Sequence, residues 1–226
     1  MDSRCIDFYY YDGHCFHRLC VNLGTNEFLG YSFARNGMDD ILKVDLPLIE
    51  LGSFLTSTKR IGPHNKDILD FVQGSLLGDG YLELHGNGSR LCLQQESSNK
   101  AYLLWSHKFL ADRGYCNLEL PKVQTRIGNK GKIRYVLRLK TWTFSSFNYL
   151  HTKFYSNNIK IIPLDLSISP LMLAIWIKDD GSRSGKALKL STNCFTYEEC
   201  ERLKIKLNNM NLKISIHKTG KLNQYN

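Results

Sequence analysis

The sequence lacks the features that would assign it to several common protein classes. Its seven cysteines are scattered and contain no C-x-x-C pair, which favours neither a disulfide framework nor a zinc ribbon. No apolar run approaches the roughly 18 residues that a membrane span needs. The N-terminus is acidic and aromatic, unlike a signal or transit peptide. These absences predict a soluble protein with reduced thiols and no membrane partner.

Acidic residues are scarce relative to basic ones. The 226 residues include 30 lysines and arginines against 21 aspartates and glutamates, which gives a formal net charge of +9. Such an excess indicates a polyanionic partner, either nucleic acid or an anionic membrane surface. Nucleic acid is the favoured partner of the two.

Hydrophobic periodicity predicts an ordered alternation of elements in residues 59–226. Residues 1–58 read as an N-terminal extension of unclear structure. Helices are predicted over 67–79, 100–116, 144–155, 170–180 and 196–209. Strands are predicted over 81–85, 90–94, 122–126, 132–140, 186–192 and 212–217. The order is helix, two strands, helix, two strands, helix, and it begins again near residue 170.

This order predicts an α+β protein with two pseudo-symmetric αββαββα repeats, residues 59–160 and 161–226. The second repeat is expected to be truncated, because no residues are left for a last strand and a last helix. Its last predicted strand, residues 212–217, would then keep an unpaired edge.

Two similar motifs each end a predicted apolar helix: GSLLGDGYLE at residues 74–83 and LAIWIKDDGS at residues 173–182. Gly74 and Gly78 share one helix face, and small residues there allow two helix backbones to approach closely. Ala174 is the small residue of the second motif. We therefore expect these three residues at a helix–helix interface that brings Asp79 and Asp180 together.

Two aspartates at adjacent helix C-termini form an unfavourable arrangement unless a cation joins them. The carboxylates repel each other and meet the negative ends of both helix dipoles. A hard divalent cation reverses the sign of this interaction. The motifs thus predict a metal site at Asp79 and Asp180 for Mg²⁺, with Mn²⁺ as the alternative. For either motif alone, a plain helix-ending turn is the alternative interpretation.

Basic and apolar residues alternate along the predicted strands, so that one face is basic and the other packs on helices. A basic β-ribbon can enter the major groove of DNA and contact phosphates and base edges. The predicted DNA-contacting residues are Arg90, Gln94, Lys122, Gln124, Arg126, Lys132, Arg134, Arg138, Lys140, Arg183, Lys186, Lys189, Lys213 and His217.

The two motifs resemble those of single-chain LAGLIDADG homing endonucleases encoded in group I introns of organellar genes. The stretches RIGPHN, YLLWSHKFLADRGYCNLELPK, TFSSFNYLHTKFY, KIIP and STNCFTYEE are similar to the members found in mitochondrial introns. The resemblance covers residues 59–226 and leaves residues 1–58 outside it.

The resemblance implies a monomeric, site-specific endonuclease that makes a metal-dependent double-strand cut in a long DNA target for intron homing. It implies a mitochondrial location, with the chloroplast as the alternative. Asp79 and Asp180 match the catalytic metal-binding aspartates, and Lys160 matches the basic residue that helps to polarise the site. The equivalent lysine of the second repeat is absent. Two alternatives stay open: an RNA maturase that assists splicing of a group I intron, and a truncated, inactive reading frame.

Overall fold

The computed structural model describes residues 5–11, 16–22, 27–33, 39–42, 56–60, 64–128, 131–219 and 224–225; for residues 5–42 and for Lys59 it describes the backbone alone. The chain forms two compact units. The first unit comprises residues 1–64 and 83–148, and the second comprises residues 65–82 and 149–226. Compact units and predicted repeats divide the chain differently, so the repeat boundaries at residues 58 and 160 stay predictions. None of the described helices has the length and apolar character to cross a membrane.

The first unit contains two antiparallel sheets. One is a meander of four strands in chain order, β1 (Cys5–Tyr11), β2 (Phe16–Asn22), β3 (Glu27–Phe33) and β4 (Asp39–Leu42). It lies within the predicted N-terminal extension, and the remainder of that extension up to residue 55 lies outside the described residues. The second sheet has the order β5-β6-β8-β7, with β5 (Tyr81–His85), β6 (Gly88–Glu96), β7 (Val123–Ile127) and β8 (Ile133–Lys140).

Helix α1 (Lys66–Leu77) precedes this second sheet in the chain, and helix α2 (Lys100–Ala111) packs on its strands β6 and β8. Leu91 and Leu93 of β6 and Leu137 and Leu139 of β8 are buried, as the alternation predicts. Tyr135, on the same face of β8, is exposed, as is its neighbour in register across β7. The helical cover therefore ends before the tip of the β7–β8 hairpin.

A half-buried histidine, His64, joins two distant segments of the first unit. His64 Nδ1 lies 2.7 Å from the Tyr115 hydroxyl, and His64 Nε2 lies 2.7 Å from Ser146 Oγ. Ser146 also donates to the carbonyl oxygen of Arg60 at 3.2 Å. Because that bond takes the serine hydrogen, Nε2 carries the imidazole proton and Nδ1 accepts from the tyrosine. The ring is thus fully bonded in its neutral form.

The second unit is built around two packed helices, α1 and α4 (Pro170–Asp180). Between them in the chain come α3 (Asn148–Phe154) and the short hairpin of β9 (Tyr155–Ser156) and β10 (Ile159–Lys160). After α4 come β11 (Gly181–Ser184), β12 (Ala187–Leu190) and α5 (Tyr197–Asn208). Phe71, Phe154 and Trp176 are among its largest fully buried side chains.

Capping residues fix where the helices of the second unit begin. The Ser169 side chain accepts from Met172 N at the start of α4, and Pro170 occupies the first helical position, where its missing N–H costs nothing. Thr196 and Glu199 form a capping box at the start of α5. Glu199 also accepts from Ile162 N at 2.8 Å, which ties this helix to the segment after β10.

The predicted strand over residues 212–217 is wrong. Within the described part of the chain this segment pairs with no neighbouring strand, and one isolated bridge, Lys218 to Tyr225, follows it. The ladder needs a partner strand, and alternation alone does not supply one. Instead, Ile214 and Ile216 line an open cavity of about 510 Å³ beside Trp176 and Leu203. Strand β11 was not predicted, and it pairs with β12.

The glycines of the first motif set the distance between α1 and α4. A Cβ at position 74 would lie 2.6 Å from the Met172 carbonyl oxygen and 3.0 Å from Ile175 Cβ. A Cβ at position 78 would lie 2.5 Å from Asp179 Cβ. Any larger residue would push the two helices apart.

The prediction that Ala174 lies at this interface is wrong, because Ala174 is exposed. The residues that meet the glycines, at positions 172, 175 and 179, recur at the spacing of one helix face, and position 174 is turned away from it. The predicted helices and strands of residues 67–208 are present in the predicted order, with strand β11 and the β9–β10 hairpin as additions, and the mixed helix and antiparallel-sheet architecture confirms the α+β class.

His64 makes the free energy of unfolding depend on pH. Burial lowers the pKa of His64 to about 4, against about 6.5 in an unfolded chain. Between these two values the unfolded state binds a proton that the folded state does not bind. The free energy of unfolding therefore falls as pH drops from about 6.5 to 4, by on the order of 3 kcal/mol. Urea unfolding at several pH values should show this loss. His64→Gln should unfold with a weaker pH dependence in that window, and equal slopes for both proteins would contradict the assignment.

Replacing Gly74 by alanine tests the helix contact through the sign of the effect. In a helix interior this change normally stabilises by about 1 kcal/mol. Here the new methyl would meet a backbone carbonyl, so we expect a net loss of about 1–3 kcal/mol in the free energy of unfolding. Thermal or denaturant unfolding measures it, with the neighbouring Gln73→Ala as a control that should stay within about 0.5 kcal/mol of wild type. A stabilised Gly74→Ala protein would show that the contact is loose.

Candidate functional site

The two motif aspartates lie at the C-terminal ends of α1 and α4. Helix α1 ends at Leu77, and Gly80 N donates to Ser75 O at 2.9 Å, so Asp79 stands on the turn that closes the helix. Asp180 is the last residue of α4, and its carbonyl oxygen accepts from Ser191 N at 3.2 Å. The helix predicted to reach Asp79 is thus two residues shorter, and the two aspartates occupy different backbone positions.

The two carboxyl groups meet within the second unit. The carboxyl groups of Asp79 and Asp180 lie close enough to act on one another. Burial and the charge of Asp79 together raise the pKa of Asp180 to about 7, against the opposing charge of Lys160. Two carboxylates this close cannot both ionise without a compensating charge, so the pair retains a proton near neutral pH.

The donor set at this pair consists of hard oxygen atoms. Among the described residues, no group of three or more His, Cys, Asp or Glu side chains converges as a metal site. A cation bound here would therefore have two carboxylates as its side-chain ligands, with water or phosphate oxygens for the rest. That composition suits Mg²⁺, which keeps several waters and uses one or two carboxylates.

Lys160 fixes the turn that carries Asp79. Its Nζ donates to the carbonyl oxygens of Gly78 at 2.7 Å and Gly80 at 2.8 Å, on either side of the aspartate. Burial lowers the pKa of Lys160, while the negative charges around it, including those of Asp180 and Asp79, act in the opposite direction. The structure thus brings together the three residues predicted for catalysis.

Two neighbours of this site were not predicted. Cys194 interacts electrostatically with Lys160 and Asp180, and burial raises the pKa of its thiol. Asp179 contacts the Gly78 position and also acts on Lys160. The doubled aspartate of the second motif was a signal for Asp179, whereas nothing in the local sequence indicates Cys194.

Most of the predicted DNA-contacting residues of the first unit lie on one face of its second sheet. Gln94 pairs with Arg138, and Arg126 pairs with Arg134 across neighbouring strands. Residues two apart share a face, so one surface, here termed the basic face, carries Arg90, Gln94, Gln124, Arg126, Arg134, Arg138 and Lys140. Lys122 and Lys132 immediately precede strands β7 and β8.

The basic face contains acidic residues that the sequence analysis missed. Glu83 of β5 accepts from Arg90 Nε at 2.6 Å and from Lys140 Nζ at 3.0 Å. Glu96 of β6 pairs with Arg134. Glu83 and Arg90 lie on either side of the GNG turn in the sequence, and this was the available signal for their pairing.

The predicted DNA-contacting residues of the second unit are less well gathered. Arg183 pairs with Leu188, and Lys189 pairs with Ser182, so Arg183 and Lys189 lie on opposite faces of the β11–β12 hairpin. Lys186 occupies the turn between these strands. Lys213 and His217 lie in the segment that is not a strand, where His217 Nε2 lies 2.9 Å from Ser215 Oγ. All five are exposed.

Comparison with known proteins places these features in a family. The model of the LAGLIDADG DNA endonuclease family matches residues 69–226. Cytochrome b mRNA maturase bI2 of Debaryomyces hansenii is 47% identical over 169 residues, which cover 73% of this chain and 64% of the maturase. The protein of the same name from Saccharomyces cerevisiae is 47% identical over 174 residues, which cover 72% of this chain and 41% of the maturase. The chain thus spans less than two thirds of the length of either maturase.

A solved structure gives the same assignment. The homing endonuclease I-WcaI, bound to its DNA recognition sequence, matches with a TM-score of 0.60 and 26% sequence identity. The match covers 78% of this chain and 85% of that one. The resemblance of the two motifs is confirmed: the chain belongs to the LAGLIDADG DNA endonuclease family.

Proposed function

We propose that the protein is a site-specific endonuclease that makes a metal-dependent double-strand cut in a long DNA target for intron homing. The observation that carries the proposal is the close pair of carboxyl groups of Asp79 and Asp180 at the ends of two closely packed helices. For stability this pair is unfavourable, because burial and mutual repulsion both oppose ionisation. A bound cation would compensate the charge of both carboxylates, so this arrangement is expected at a cation-binding site.

Asp79 and Asp180 would hold Mg²⁺, or Mn²⁺ as the alternative. When bound, the cation supplies a Lewis acid that lowers the pKa of a coordinated water and neutralises charge on the phosphate. The two carboxylates bind and orient at this position. Their different backbone settings, one on a turn and one in a helix, give the pair limited freedom to rearrange.

Lys160 would act beside the carboxylates. Two of its three ammonium protons are held by the carbonyls that flank Asp79, which leaves a third for a phosphate oxygen. In that role Lys160 stabilises negative charge as the scissile phosphate reacts. It also keeps the Asp79 turn in place.

The basic face would bind the target duplex. Its arginines and lysines suit phosphate oxygens and guanine, and its glutamines suit adenine. The solved structure of I-WcaI with its recognition sequence supports a DNA partner for this chain. The exposed basic residues of the second unit, Arg183, Lys186, Lys189, Lys213 and His217, would add contacts, and the protein would act as a monomer.

A maturase is the second candidate function. The two relatives at 47% identity are both named cytochrome b mRNA maturases, and the partner would then be group I intron RNA. We expect a mitochondrial location, with the chloroplast as the alternative, for either function, because both relatives are named for cytochrome b mRNA. A protein without either activity is the third alternative.

A cleavage assay separates these functions. Duplex DNA that carries the intron-free insertion site should be cut with Mg²⁺ or Mn²⁺ and left intact in EDTA. Asp79→Asn and Asp180→Asn should lose detectable cleavage yet still bind the duplex, because the metal ligands are lost while the basic face is unchanged. The matched control is Asp112→Asn, an exposed aspartate paired with Lys108 in the first unit, which should cut at the wild-type rate.

Undiminished cleavage in EDTA would contradict the metal site. An absence of cleavage with every metal, together with protein-dependent splicing of the intron RNA, would favour the maturase. An absence of both activities in a folded protein would favour the third alternative.

A further inference from the structure

One carboxylate on the basic face connects three neighbouring strands. Glu83 lies on β5, and it accepts from Arg90 of β6 at 2.6 Å and from Lys140 of β8 at 3.0 Å. The Cys92 thiol of β6 also lies 3.5 Å from the same oxygen, Oε2. Hydrogen bonds from Arg90 and then Lys140 lower the pKa of Glu83 to about 2. Glu83 is therefore ionised wherever the protein would meet DNA.

Neither stability nor affinity accounts for an acid at this position. The side chains of Glu83 and Lys140 are 34% and 42% exposed, and ion pairs at this exposure contribute little to the free energy of unfolding. A negative charge on a face that meets phosphates lowers electrostatic attraction to DNA. What the carboxylate does provide is orientation, because it fixes two long cationic side chains that would otherwise sample many rotamers.

The atom that Glu83 engages on Arg90 determines what the arginine can still contact. The bond is made by Nε, so the two terminal nitrogens are left as a parallel pair of donors. That edge matches O6 and N7 of guanine in the major groove. The Cys92 thiol of the same strand also acts on the Arg90 guanidinium, with a smaller effect than Glu83.

We propose that Glu83 is a positioning residue on the basic face: it holds Arg90 and Lys140 in the orientation for base contact, so that it sets sequence discrimination at the expense of non-specific affinity. The inference rests on the proposed DNA-binding function. Arg90 then reads a guanine with its terminal nitrogens, and Lys140 contributes a fixed point charge beside it.

Other arginines of the basic face provide an internal comparison. Arg138 donates from Nε to Gln94 at 2.9 Å, an arrangement like that of Arg90 with a neutral acceptor. The side chain of Arg126 on β7 has no hydrogen bond or ion pair to any residue in the described part of the chain. A side chain left mobile in this way suits a phosphate contact, which carries no sequence information. Arg126 is therefore the matched control for Arg90.

The test measures binding of the full chain, in EDTA so that no cut occurs, to two duplexes over a range of salt concentrations. One duplex carries the intron-free insertion site, and the other has the same base composition in scrambled order. Glu83→Ala should bind the scrambled duplex a few-fold more tightly and steepen the salt slope by about one, because one negative charge is lost. Its preference for the insertion site should fall about tenfold or more.

Two further variants separate orientation from charge. Arg90→Lys keeps the charge and removes the paired donors, so the preference should fall while the salt slope stays near wild type. Arg126→Ala should weaken binding to both duplexes equally and make the slope shallower by about one. If Glu83→Ala does not fold, as judged by circular dichroism, the isosteric Glu83→Gln should show the same directions.

The outcomes distinguish a failure of the proposed DNA-binding function from a failure of the role proposed for Glu83. A wild-type protein with no preference for the insertion site would contradict the proposed DNA-binding function itself. A wild-type preference that Glu83→Ala or Glu83→Gln retains, with both duplexes weakened equally and no change in slope, would overturn the inference for Glu83 alone. Glu83 would then only link the strands of the sheet.

Discussion

The close approach of α1 and α4 is the contact on which the candidate catalytic site depends. Two glycines remove the side-chain volume that would separate the helices, and the backbone of α4 fills the space, with the Met172 carbonyl against one glycine position and Asp179 against the other. Close-packed interiors tolerate little change in such a contact. Because Asp79 and Asp180 lie at the ends of these same helices, a change in the distance between the helices also changes the distance between the two carboxylates. The residues that pack the helices together therefore also set the geometry of the candidate site.

At this site and on the basic face, a charged side chain is held in place by its hydrogen-bond partners. Lys160 is half-buried and held by two carbonyls beside Asp79. Glu83 is held by donors from two other strands. In both places the contacts give the charged side chain a defined orientation, which the proposed catalysis and base recognition would need.

The two units differ in how completely the sheet is supported by its surroundings. In the first unit, four antiparallel strands give the basic residues a common register, with Gln94 opposite Arg138 and Arg126 opposite Arg134. In the second unit, a two-stranded hairpin carries Arg183 and Lys189 on opposite faces. Ile214 and Ile216, beyond α5, line a cavity and form no ladder. On these grounds the first unit carries the more ordered basic surface.

The sequence by itself predicted most of the element order, the α+β class and the two aspartates that the structure brings together, because these follow from local signals: helical periodicity, strand alternation, and a glycine–aspartate pattern that occurs twice. Tertiary structure decided the rest. It placed Ala174 in solvent, because its position on α4 is turned away from the glycines. It left residues 212–217 without a ladder, because strand alternation does not provide a partner. It also brought Cys194 to Lys160 and Glu83 to Arg90 and Lys140, contacts between elements that no local pattern records.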